Sequence, residues 1–381
     1  MSRSRAARVF AWAGTPETVA PLRFSGRGHP AIRATHHKTL EFTDAAEITG
    51  RATCVIAVGT TVTGAALAGP VRLTITAGGE SSVVEAVANP DWRPGETAVV
   101  RRSSNRAPGT LATDADLAAS DLPRELTAAL STSDAEVDVV VEPLRRHSDG
   151  RAGLVLLRTD TVDDRLRAEL AAADLIIAED ERARDLVRVA APDLAPDRPP
   201  GNEISAMIER DDLDRVLVVS TVDLPGDTVS ELLGRPELVR VEVAGLPAAL
   251  AAAAASPHRG PLHLAERPAL RPADLGARVA ITAPADALIA AAKAAGRPAH
   301  GVLLDGPWAT WGPLPDVRDE ITCCLDPIEE SEVDGLPDDL AATLKALAED
   351  GVPTKTLASA AASALGWSRN RAYDAVSRLR R

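Results

Sequence analysis

Aromatic residues make up only 2% of this 381-residue chain, so its cores must be built mainly from Ala, Val and Leu. Lysine is nearly missing as well. It stands only at Lys38, Lys293, Lys345 and Lys355, and arginine carries the remaining basic charge. Three cysteines, with Cys323 and Cys324 adjacent, exclude a disulfide framework and a four-thiolate zinc site and fit a reducing cytoplasm. No apolar run approaches the ~20 residues needed to span a bilayer; the longest is "AGLPAALAAAAAS" at 244–256. The stretch "VFAWAG" behind Arg3, Arg5 and Arg8 is too short for a signal-peptide core. A cytoplasmic protein with no membrane segment is therefore expected. A positive excess is also lacking. The net charge of −13 excludes a surface coated all over by nucleic acid but permits a local basic patch.

What is present changes texture along the chain. From Leu22 to Leu144 the pieces "TCVIAVG", "VRLTITAGG", "SVVEAVAN", "TAVVRRS" and "VDVVVEP" are rich in β-branched residues and separated by Gly, Pro and Asn. They predict a mainly antiparallel β-domain. One helix is expected within it, over "ATDADLAASDLPRELTAALS", from the spacing of Leu117, Leu122, Leu126 and Leu130. The polar stretch 145–153 is the best boundary. After it short apolar strands alternate with helices, from "GLVLLRT" to "LPAALAAAAAS" and again from "ARVAITA" to "AHGVLLDG", which predicts βαβ units and a mostly parallel sheet. From Leu336 the chain reads as three helices. Thr354 and Ser368 are placed to cap the second and third, and Gly366 lies in a helix-turn-helix-like turn.

The middle of the chain carries a resemblance. "ADLIIAEDERARDLV" at 173–187, "GNE" at 201–203, "VAGLPAALAAAAAS" and the C-terminal "LKALAEDGVPTKTLASAAASALGWSRNRAYDAV" resemble, in order, elements of the small-subunit rRNA (cytidine-2′-O)-methyltransferases. Those enzymes belong to the tetrapyrrole methylase superfamily. The resemblance implies a two-lobed fold, S-adenosylmethionine as cofactor, and Glu179, Asp180, Ser220 and Asp223 as cofactor-side residues. The departures are in the glycine-rich loops. The family's Thr-Pro-Ile-Gly-Asn is replaced by "LRTDTVDD" at 157–164, and its Ser-Asp-Ala-Gly-Thr-Pro by "STVDLPGDTV" at 220–229. A scaffold retained with an eroded site is expected, with no cofactor bound. Homodimers, common in that superfamily, are a further expectation.

The N-terminal part is similar to a different group, domain-of-unknown-function family number 371, found mainly in archaea. The shared residues are Gly28-His29-Pro30, Ala34, Thr35-His36, Thr39, Glu41, "TCVIAVG" and the stretch 98–126 with Arg101-Arg102. The resemblance brings no known activity.

Together these readings predict a multidomain α+β and α/β chain. A lead of 1–20 precedes a β-rich domain (21–148), a two-lobed tetrapyrrole-methylase-like α/β domain (149–330) and a C-terminal three-helix module (331–381). The candidate motif in the first is His29, His36, Thr39, Glu41, Arg101 and Arg102. On a regular strand over 35–43, His36 and Glu41 point to opposite faces, so no metal is expected there; an RNA- or phosphate-contacting face and a solvated strand are the other readings. Arg101, Arg102 and Arg106 are candidate phosphate ligands or partners of surface acids. At the other end, "RNRAYDAVSRLRR" has five arginines (Arg369, Arg371, Arg378, Arg380 and Arg381) against one aspartate, a local charge of +4. That run is the candidate RNA-binding element, or a solvated helix end. Three functions remain open. They are a non-catalytic RNA- or ribosome-associated protein, an S-adenosylmethionine-dependent methyltransferase with a remodelled site, and a metal-dependent enzyme centred on the histidine cluster.

Overall fold

The computed structural model describes residues 20–194, 196, 201–223, 227–265, 277–295, 297–327, 338–365 and 369–378. The chain divides into two compact units, Met1–Leu246 with Asp305–Ala309, and Pro247–Leu304 with Thr310–Arg381.

In the first unit eight strands close a barrel. They are β1 (Leu22–Arg27), β2 (Thr39–Phe42), β3 (Val55–Thr63), β4 (Gly69–Ala77), β5 (Glu80–Ala88), β6 (Ala98–Arg101), β7 (Thr110–Thr113) and β8 (Glu136–Pro143). Their order is β1-β3-β2-β6-β7-β5-β4-β8, and β8 closes on β1. Only β2–β3 and β6–β7 are parallel. Period-2 patterning sets the inside: β8 buries Val137, Val139 and Val141 and exposes Glu136, Asp138 and Glu142. Three of the nine aromatics pack together there. Phe24 stacks on Phe42 at 5.2 Å and tilts against Trp92 at 5.8 Å.

The long helix expected around residues 112–131 does not form. Thr110–Thr113 is strand β7, Asp114 takes a positive φ of 56°, and only α1 (Arg124–Leu130) is helical beyond a short 3₁₀ turn. Pro123 explains the break, since it has no N–H to continue a helix and sits instead at the N-cap of α1. Leu122, Leu126 and Leu130 still face the core.

Four parallel strands follow in the same unit: β9 (Ala152–Arg158), β10 (Leu175–Ala178), β11 (Arg215–Ser220) and β12 (Val239–Ala244). They run in the order β10-β11-β9-β12. Helices α2 (Asp164–Ala172), α3 (Glu181–Ala190), α4 (Gly201–Glu209) and α5 (Ser230–Leu233) lie between them in the chain. The strands are buried nearly throughout, as a sheet covered on both faces requires. Side-chain caps start two of the helices: Asp163 accepts from Leu166 N and Asp180 from Ala183 N, each at 2.8 Å. Gly201, Asn202 and Glu203 begin α4.

Barrel and sheet share a buried charge cluster. Glu242 of β12, 1% exposed, accepts from Arg106 at 2.5 Å and Arg165 at 2.8 Å. Arg165 also reaches Asp91 at 2.5 Å, and Arg215 pairs with the fully buried Glu169 at 2.5 Å. Gly69, at φ +82°, is needed beside this cluster, because a Cβ there would meet Arg215 Nη1 at 2.9 Å. Next to it Arg240 pairs with Asp114 at 2.7 Å and lies over the Trp308 ring at 3.9 Å. The 145–153 segment is tied in by Arg145 and Arg146, both bonded to Asp214.

The second unit holds α6 (Ala248–Ala254), β13 (Leu262–Ala265), β14 (Arg278–Pro284), α7 (Ala285–Ala294), β15 (His300–Asp305) up to Leu304, β16 (Trp308–Pro313) from Thr310, and β17 (Glu320–Leu325). β15, β17, β14 and β13 are successive neighbours, antiparallel except for β13–β14. The helices α8 (Asp338–Glu349), α9 (Thr354–Leu365) and α10 (Arg369–Arg378) follow, with Leu344, Leu357, Ala358, Ala361, Ala372 and Val376 as their own small core. The expected helix starts at Leu336 and Ser368, and the turn at Gly366, lie outside the described residues. Among the described residues no helix is long and apolar enough to cross a membrane.

Two stability predictions follow from the cluster. Burial alone would raise the pKa of Glu242, but the Arg106 and Arg165 guanidiniums override it and hold the carboxyl at about 2. Glu242→Ala leaves the buried Arg106 without its carboxylate, while Arg165 keeps Asp91, and should cost about 3–5 kcal/mol in urea unfolding; a loss within 0.5 kcal/mol, about what an ordinary surface change costs, would refute the cluster's role. His147, buried edge-on against Trp308 at 5.7 Å, is pushed down to about 3 by burial and by Arg240 and Arg215. Its folded pKa lies below the unfolded value near 6.5, so its contribution is complete above pH 6.5 and is lost as pH falls toward 3. Unfolding free energy measured between pH 7.5 and 4.5 should therefore decline less steeply in His147→Gln.

Candidate functional site

Two places gather the residues singled out from the sequence. The first is one end of the barrel. Residues 32–38 are not strand; Thr35 N and His36 N both donate to Thr53 O, at 3.0 and 3.1 Å, and β2 begins only at Thr39. The parity argument over 35–43 therefore does not hold, because a turn stands where regular extension was expected. Ala34, at φ 46°, enters that turn, and His36 Nδ1 bonds the Thr39 hydroxyl at 2.7 Å. Thr39 and Glu41 share one half-buried face of β2 while Leu40 and Phe42 enter the core.

Cys54, which sequence reasoning did not single out, completes this face. Its thiol donates to Glu41 Oε2 at 3.0 Å. Burial raises its pKa to about 11, helped by the hydrogen bond and charge of Glu41, while a hydrogen bond from Thr39 works the other way. The resting group is thus a thiol, not a thiolate nucleophile. The only sequence signal was its place in "TCVIAVG", thirteen residues beyond Glu41.

The other motif residues are dispersed. His29 meets Glu47 at 3.2 Å, and Arg101 Nε donates to Thr110 Oγ1 at 2.8 Å. Arg102 pairs with Asp121 at 2.8 Å, and Arg106 is buried against Glu242. Arg102 and Arg106 therefore pair with acids instead of forming a phosphate grip with Arg101. Among the described residues no group of three or more His, Cys, Asp or Glu side chains is placed to hold a metal ion.

The family comparison falls on this region. Residues 24–143 match the model of the family described as Domain of unknown function (DUF371). That range contains the barrel strands from Phe24 to Pro143 and the whole His36–Thr39–Glu41–Cys54 cluster. No curated protein matches the chain.

The second place is the carboxyl end of the parallel sheet. Connections leaving β9 and β11 run to opposite sides, which in open α/β sheets marks the ligand crevice. There Arg158 lies between Asp160 at 3.3 Å and Asp223 at 3.6 Å. Gly245, at φ +76°, backs directly onto it, since a Cβ would lie 1.9 Å from Arg158 O. Ser220 Oγ bonds within its own turn, to Val222 O and N at 3.3 and 3.1 Å. Asp180 caps α3 and also accepts from Thr221 N and Oγ1, at 2.9 and 3.0 Å. Burial opposes ionisation of Asp180, yet these bonds hold its carboxyl below the usual range. Glu179 accepts from Thr228 N at 3.4 Å.

A third cluster, in the second unit, was not anticipated. Asp326 Oδ2 accepts from His300 Nδ1 and Trp311 Nε1, both at 2.8 Å, with His258 Nε2 at 3.7 Å. Its histidines are far apart in sequence, which is why no motif exposed it. Of the C-terminal arginines, Arg380 and Arg381 lie outside the described residues, as do the side chains of Arg369, Arg371 and Arg378.

The Cys54 geometry predicts slow alkylation by iodoacetamide at pH 8 for the native chain. Glu41→Gln removes both contributions of the carboxylate and should speed it by about tenfold for each pKa unit recovered. The readout is the rate at Cys54 by peptide mass spectrometry; an unchanged rate would show that Glu41 does not control the thiol.

Proposed function

We propose that this chain is a non-catalytic, RNA- or ribosome-associated binding protein that uses a methylase-like α/β scaffold without its methyl-transfer chemistry. The observation carrying this reading is the ion-pair group at the sheet's carboxyl end. Arg158 is held between Asp160 and Asp223, Asp180 is spent on a helix cap and on Thr221, and Ser220 is satisfied in its own turn. Asp180 and Ser220 thus have their hydrogen bonds within the protein, and Arg158 has carboxylates on either side. The loops also carry Cβ atoms throughout Thr159-Asp160-Thr161 and Thr221-Val222-Asp223, so the backbone cannot approach a nucleoside as closely as glycine would allow. These residues do not fit S-adenosylmethionine. RNA as the partner is supported by the +4 charge of residues 369–381 in a chain of net charge −13.

The test is a melting scan with millimolar S-adenosylmethionine. A ligand at about 100 times its dissociation constant stabilises a fold by roughly 2.7 kcal/mol, a shift of about 5–10 °C for a domain of this size. The expected shift is below about 1 °C. A rise of several degrees that Asp223→Ala removes would replace this reading with an active methyltransferase.

A further inference from the structure

Many arginines of this acidic chain pair with acids within the fold; among the described residues, exposed ones such as Arg23, Arg124 and Arg182 do not, and at one end of the barrel unpaired cations lie close together in the chain and in space. Arg33, Lys38 and Arg51 are exposed and have no ion-pair partner among the described residues. Three backbone connections gather them. Thr35 N and His36 N bond Thr53 O, which lays residues 33–36 along 51–53. Arg102 N donates to Lys38 O at 3.0 Å, which brings β6 alongside. The Arg33 guanidinium lies over Gly50, where a Cβ would be 3.7 Å from Nη2, so it is next to Arg51 in the chain. Of the acids in and beside these segments, Glu41 is engaged by Cys54, Glu47 by His29 and Asp121 by Arg102, which leaves Asp44 against three cations.

The same end presents a stacked pair of imidazoles. His36 and His37 lie 5.6 Å apart with their planes 23° from parallel. His36 is anchored from below by Thr39, and His37 is exposed. Unpaired cations that track a backbone, beside an exposed flat ring on which a base can stack, are the two components of single-strand recognition.

We infer that the barrel end formed by Arg33, His36, His37, Lys38 and Arg51 is a binding surface for single-stranded RNA, in which the cations take phosphates and His37 takes a base. The inference rests on the RNA-associated reading above and moves its principal contact from the C-terminal arginines to the barrel. None of these cations is required by the fold: each is exposed, so replacing them leaves the core untouched.

The experiment is fluorescence anisotropy of the full chain with a fluorescein-labelled, mixed-sequence single-stranded RNA 20-mer across a salt series. Arg33→Gln/Lys38→Gln/Arg51→Gln should weaken binding at least tenfold near 50 mM salt and flatten the log–log salt slope by about 2, at roughly 0.7 for each phosphate that is no longer neutralised. His37→Ala should weaken binding about tenfold with little change in slope, and His37→Phe should retain most of the affinity. If the parent chain binds RNA and the triple variant binds equally well, the barrel surface is refuted while the RNA-associated reading stands. If the parent binds no RNA at any salt, both fail. Melting curves matching the parent's confirm that each variant is folded.

Discussion

Glu242 and Glu169 are carboxylates held almost without solvent contact between arginines contributed by separate parts of the chain. A buried carboxylate is tolerated only if its cations are in place, so β12 cannot take its position until Arg106 of the β6–β7 connection and Arg165 of α2 are both delivered. Arg165 in turn needs Asp91, which follows β5. The parallel sheet and the barrel therefore form one compact unit, although their secondary structures are of different kinds. Much of the remaining detail follows from this constraint, including the glycine beside Arg215, the neutral imidazole of His147 and the Arg240–Trp308 stack.

The same economy of charge separates two surfaces. At the sheet's carboxyl end Arg158 sits between two carboxylates, Asp160 and Asp223. At the end of the barrel near His36 the cations are left open to solvent. Exposed unpaired positive charge in a protein of net −13 costs little in folding and adds long-range attraction for polyanions. The His36–Thr39–Glu41–Cys54 face adds short-range order, because each polar side chain fixes its neighbour, and the protonated thiol keeps the site chemically quiet.

Local order was legible where one face of an element is buried. The alternation in β4 and β8 and the continuous apolar β9 and β11 follow from periodicity. Leucine spacing does not carry a helix across Pro123, and residues 35–43 are not one continuous strand, because the backbone of 35 and 36 bonds to Thr53. β13, β16 and β17 were not foreseen, being short pieces without clear alternation.

By itself the sequence determined a β-rich first part, followed by buried strands alternating with helices and then by a helical end. It also placed the family-like motif within residues 24–143, where the family model matches. Only the tertiary structure decided which charges pair and which remain open. Arg106 lies 136 residues from Glu242, and no local pattern distinguishes it from Arg33, which stays exposed and unpaired among the described residues. The difference is desolvation. Partner choice for a charged side chain depends on what the folded chain removes from water around it, and that is a property of long-range packing rather than of neighbours in sequence.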